Sequence, residues 1–110
     1  MPISVTGNEG AIISRPDAVT LHDNYSTLGE GISINRIKSM FFGKQKVLSL
    51  LNQTDCSGLR IYFGHKSADD EFEPELILVA IDDDGEDILA PTGFLSEGVP
   101  CPKICPINGL

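Results

Sequence analysis

The sequence predicts an α+β domain, a small antiparallel meander of about three strands packed against two or three N-terminal helices, with a proline-rich C-terminal tail. Three observations lead there. Helix signals, both end punctuation and 3.6-residue apolar spacing, are confined to the residues before Gln53. Apolar runs rich in β-formers follow at Leu59–Phe63 and Leu76–Ile81. Four of the seven prolines then fall between Pro91 and Pro106, where neither a regular helix nor a central strand can run.

Taken in order, Ser14-Arg15-Pro16-Asp17 has the spacing of a capping box, with proline tolerated in the first turn and an acid favoured there by the helix dipole. Ala18, Leu21, Tyr25 and Leu28 continue at helical spacing, and Gly29 and Gly31 end the helix. From Ser33 to Gln53 runs the widest amphipathic signal in the chain, with Ile34, Ile37, Phe41, Leu48 and Leu51 on one stripe and Met40 and Val47 beside it. Gly43 interrupts it at a cost of about 1 kcal/mol relative to alanine, so the segment is one helix or two meeting at Phe42-Gly43. Ile37, Phe41, Leu48 and Leu51 are the expected core contacts to the strands at Leu59 and Leu76, and Arg36, Lys38, Lys44 and Lys46 form a basic face.

A turn-rich stretch, Asn52 to Gly58, leads into the Leu59–Phe63 strand; Lys66 to Glu75 reads as a charged, exposed connector before Leu76–Ile81. Asp84-Gly85 is a hairpin signal, and Asp87–Leu89 is the expected third strand. Residues 1–90 are therefore read as one domain and 91–110 as an irregular tail. Phe94, Leu95, Val99, Ile104, Ile107 and Leu110 make the tail too apolar to stay loose, so it is expected to dock on the domain or on a neighbour.

Charge narrows the function classes. The net charge is −8, and it is segregated: Met1–Lys66 carries +2 and Ser67–Leu110 carries −10. A nucleic-acid partner is not expected, because phosphate contacts need the opposite sign. The longest apolar run, Leu76–Ile81, falls far short of the ~20 residues that span a bilayer. No basic residue precedes Arg15 and no secretory apolar region follows, so no membrane partner is expected and the location is expected to be cytoplasmic. A chain of 110 residues supports one core, and a shallow site or a surface fits it better than a deep enclosed pocket.

Two clusters stand out chemically. Pro100-Cys101-Pro102-Lys103-Ile104-Cys105-Pro106 holds Cys101 and Cys105 in a proline frame, and three readings stay open: structural thiols, a disulfide or redox pair, or a metal site. Cys56, between helix and strand, reads as a small buried hydrophobe. Asp82, Asp83, Asp84, Glu86 and Asp87 surround Gly85, but aligning Gly85 with the glycine of an EF-hand loop puts Ala80 at the first ligand position. A solvated hairpin tip accounts for them better, and neither a metal nor a cofactor is expected. Phosphate-loop, dinucleotide, nucleophile-elbow and zinc-protease motifs are absent, and both histidines are isolated, so no enzyme is indicated.

Phe41-Phe42-Gly43-Lys44, Leu50-Leu51-Asn52-Gln53, Gly58-Leu59-Arg60-Ile61-Tyr62, Leu76–Ile81 with Asp82 and Gly85, and Pro100-Cys101-Pro102 with Cys105 together carry a resemblance. Over roughly Ile37 to Pro106 the chain resembles a group of small bacterial proteins of unknown function that share a Leu-Asn-Gln turn, a Gly-x-Arg-x-Tyr strand and a terminal Pro-Cys-Pro-x-x-Cys motif. The resemblance implies that the cysteine pair belongs to the design of the domain, and it brings no activity with it. The expected function is non-catalytic protein binding or assembly, with itself as a homo-oligomer or with a polar partner protein, through the charge-segregated surfaces. The alternatives are an acidic inhibitor or immunity-type protein for a basic target, and a thiol or metal site at Cys101 and Cys105.

Overall fold

The computed structural model describes residues 4–28, 38–66, 74–101, 104–107, 109 and 110. It is a mixed α+β fold: α1 (Arg15–Leu28), β1 (Ser39–Phe41), α2 (Lys44–Leu51), β2 (Gly58–His65), β3 (Pro74–Ile81), β4 (Phe94–Leu95) and β5 (Val99–Cys101). One antiparallel sheet has the order β2-β3-β4, and β1 pairs with β5 in a separate two-stranded ribbon.

α1 starts where its punctuation says. The Ser14 hydroxyl accepts the Asp17 N–H at 3.2 Å, and the Ser14 carbonyl accepts the Ala18 N–H at 3.0 Å. Its apolar side chains are poorly covered, Leu21 remaining 62 % exposed, because their stripe is narrow and punctuated by polar residues.

The expected helix from Ser33 to Gln53 is corrected. Ile34, Arg36 and Ile37 lie outside the described residues; Ser39–Phe41 is a strand, and the helix is only Lys44–Leu51. Gly43 is extended (φ −65°, ψ 145°), which halts the strand and restarts the helical phase. Met40 pairs with Pro100 and Phe41 with Val99, and the proline is accommodated because a two-stranded ribbon has only edges. The core stripe shifts with the phase. Phe41 and Leu51 are exposed and Leu48 is half-buried, while Leu50, one residue from the expected contact, is fully buried against Leu78 and Ala80. A step of one residue turns a helix by about 100°, enough to exchange core for solvent.

β2 and β3 match the sequence reading, and Leu59 and Leu76 pack on the core as expected. Their register, Leu59↔Ala80, Ile61↔Leu78 and Phe63↔Leu76, puts these residues on the sheet face that receives α2; Arg60↔Val79 and Tyr62↔Ile77 define the opposite face. Asp84-Gly85 does sit in a turn, with Gly85 at φ +81°. Asp87–Leu89 does not become the third strand. Asp87 makes a single bridge to Ile81, the Ile88 N–H donates to Ala80 O at 2.8 Å, and the ladder then meets Pro91, which has no N–H to extend it. The chain leaves the sheet and returns as β4, pairing Leu95 with Leu78 and Phe94 with Val79. Beyond β5, Ile104, Ile107 and Leu110 are exposed, and the Arg15 guanidinium donates to Gly109 O at 2.9 Å.

Candidate functional site

The acidic hairpin tip is built before it is charged. Asp82 Oδ1 accepts the N–H groups of Asp84 (2.9 Å) and Glu86 (3.0 Å), an Asx-type turn that also pairs Gly85 N–H with Asp82 O at 3.0 Å. The Ser57 hydroxyl donates to the Asp83 carboxylate, and the Val5 N–H donates to Asp83 O at 2.7 Å, tying the N-terminal segment to the tip. Asp87 is folded onto β2, where its two oxygens accept from Arg60 Nη1 and the Tyr62 hydroxyl, both at 2.5 Å. Arg60 Nη2 also donates to Gly85 O at 2.9 Å. Of the five acids singled out from the sequence, Asp82, Asp83 and Asp87 therefore serve the local structure, and Asp84 and Glu86 remain exposed to solvent.

Electrostatics follow from that geometry. Donation to Asp87 raises the Tyr62 phenol above its ordinary value, with desolvation and the nearby carboxylate charge adding to the shift. The same carboxylate holds the Arg60 guanidinium more firmly protonated. The Arg60–Tyr62–Asp87 cluster was missed from the sequence, although one signal for half of it was present: in a strand, residues two apart share a face, so Arg60 and Tyr62 had to be neighbours. The three acids that build the tip point at different partners. Among the described residues no group of three or more His, Cys, Asp or Glu side chains gathers to hold a metal ion.

The basic residues are arranged differently. Lys44 and Lys46 stand exposed in the first turn of α2, whose N-cap, Gly43, supplies no side-chain hydrogen bond and whose first turn holds no acid. They add positive charge to the positive end of the helix dipole, locally unfavourable and directed outward. Lys38 precedes β1, its N–H donating to Cys101 O at 2.7 Å. Among the described residues the only ion pair is Arg60–Asp87, so Lys38, Lys44 and Lys46 have no carboxylate partner there. Arg36 lies outside the described residues.

Cys101 and Cys105 are joined in a disulfide, with Cα atoms 4.9 Å apart and the Ile104 N–H donating to Pro100 O at 3.1 Å across the turn. Cys101 is buried against the ribbon and Cys105 is exposed. Cys56 is a free, half-buried thiol that packs on the core and donates to Gly58 O at 3.4 Å. An open, mainly apolar cleft of about 300 Å³ lies between α1 and the far end of the sheet, lined by His22, Tyr25, Lys38, Met40, Phe63 and Leu76 among others. The His22 and Tyr25 rings stack with centroids 6.1 Å apart.

No known protein family, no curated protein and no solved structure matches the chain. Among the described residues no helix is long and apolar enough to cross a membrane.

Proposed function

We propose that this chain is a non-catalytic binding and assembly protein, joining a second copy of itself or a polar partner protein through its charged surfaces. The observation that carries the reading is the pair of lysines at the start of α2 that have no carboxylate partner among the described residues, placed where the helix dipole already repels them, so that an acidic surface from another molecule would relieve both. Asp84 and Glu86, exposed at the hairpin tip, are the complementary charges on the same chain. The inhibitor alternative has less to stand on than the sequence suggested, because Asp82 is taken up by its own turn and Asp87 by Arg60 and Tyr62. A metal site at Cys101 and Cys105 requires their disulfide to be reduced first. A cytoplasmic location carries the same requirement, since cytosolic thiols are kept reduced, and the redox state of this pair in the cell tests it.

The test is solution mass against salt. Raising ionic strength from about 0.1 M to 1 M shortens the Debye length from about 10 Å to 3 Å, and association through exposed charges should weaken accordingly. The double variant Lys44→Glu with Lys46→Glu should abolish the salt-sensitive part. Association unchanged by both treatments contradicts the reading.

A further inference from the structure

The sheet has two unlike edges. β4 is two residues long, and shortly after it Glu97, at φ +61°, turns away with its N–H on the Glu75 carboxylate at 3.1 Å, a blunted edge. β2 is eight residues long, and Gly58–His65 contains neither proline nor lysine. Its one strong charge, Arg60, is drawn back onto Asp87 and Gly85 O. Among the described residues the backbone of Leu59–Gly64 bonds to no strand but β3. Along that edge Ile61 is 51 %, Tyr62 42 % and Phe63 88 % exposed. A long, apolar edge that no described strand covers is a template for another strand.

We infer that the occupant is β2 of a second copy, paired antiparallel about a two-fold axis through Tyr62, so that the two sheets become one. This rests on the assembly reading above and specifies its geometry. A two-fold axis normal to the sheet keeps like faces together and pairs residues of equal parity. With Tyr62 on the axis, Ile61 lies opposite Phe63 of the other copy, a β-branched and aromatic pair of the kind that stabilises sheets. Arg60 lies opposite Gly64, where no like charge opposes it. Lys66, one residue past the end of β2, comes level with Gly58 of the other copy, next to Ser57 and its bonded Asp83, so each copy offers a lysine to the other's acids. Centring on Phe63 instead sets Arg60 against Lys66; centring on Ile61 moves Lys66 past the strand end. Charge and shape select the Tyr62 register.

The test combines mass with cross-linking. The full-length protein should sediment at twice its 11.9 kDa. Phe63→Lys, at a site too exposed to endanger the fold, should halve that mass with the circular dichroism unchanged. In a Cys56→Ala background, Tyr62→Cys should give a covalent dimer on oxidation, since central paired Cα atoms lie about 4.5–5.5 Å apart, whereas His65→Cys should not. A dimer that survives Phe63→Lys and fails to cross-link at Tyr62→Cys, yet dissolves on Lys44→Glu with Lys46→Glu, overturns the β2 pairing and leaves charge-driven assembly standing. A wild-type monomer at every concentration and salt overturns self-assembly in both forms.

Discussion

Replacing Leu50 with alanine removes the side chain that α2 inserts into the core. Leu50 is 0 % exposed and packs on Leu78 and Ala80. The lost methylene-sized groups, at about 0.8 kcal/mol each, give about 2.4 kcal/mol before any cavity forms. β3 is paired on both sides, to β2 and β4, so the floor of the site cannot readily rise into the gap, and the cost should lie within the 2–5 kcal/mol typical of buried leucine truncations. For a domain of this size about 3 kcal/mol corresponds to roughly 10–20 °C in Tm and to a large share of the total stability. Urea unfolding followed by circular dichroism reads it as a lower midpoint with unchanged slope. Leu51→Ala is the matched control: one residue on, 42 % exposed, it should cost about 1 kcal/mol. Equal losses at the two positions, or a larger one at Leu51, refute the helix phase and with it the core.

Two further outcomes are expected. Unfolded in the absence of reductant, the oxidised protein should show a single reactive thiol, that of Cys56, and three after reduction. Opening so short a loop should lower stability by about 2 kcal/mol on chain-entropy grounds, and an unmoved urea midpoint would count against it. Tyr62 should ionise above the ordinary tyrosine value of about 10, followed by ultraviolet absorbance during alkaline titration. Its folded-state pKa is the higher one, so its stabilising contribution is complete below about pH 10 and is lost as pH rises through the folded value; Asp87→Ala should bring the titration back down, and no change in that variant would remove Asp87 as the cause.

Much of the fold was readable from local signals. The Ser14 cap marks the start of α1, and β-rich composition marks β2 and β3, because each of these depends on neighbours in sequence, while Gly29 and Gly31, the expected helix stop, lie outside the described residues. β1 was not readable, since Ser39–Phe41 becomes a strand only by pairing with Val99–Cys101, far along the chain, and its apolar residues fit a helical stripe equally well. The phase error at Leu51 follows from carrying that stripe across Gly43. At the site, strand parity sets Arg60 beside Tyr62, but neither was among the residues singled out from the sequence, and the contact to Asp87 depends on how the Asp82 turn folds back over the sheet. The spacing of Cys101 and Cys105 left structural thiols, a disulfide and a metal site open, because it does not show whether the proline frame turns or extends; the turn that brings their Cα atoms to 4.9 Å decides it.

The edge pairing is tested most directly by amide hydrogen exchange along β2 as protein concentration is raised. The expected result is that a subset of the Leu59–Gly64 amides, those on the outer edge, slows with increasing concentration while the α1 amides keep their rates. Exchange along β2 that is independent of concentration, up to the solubility limit, would contradict it.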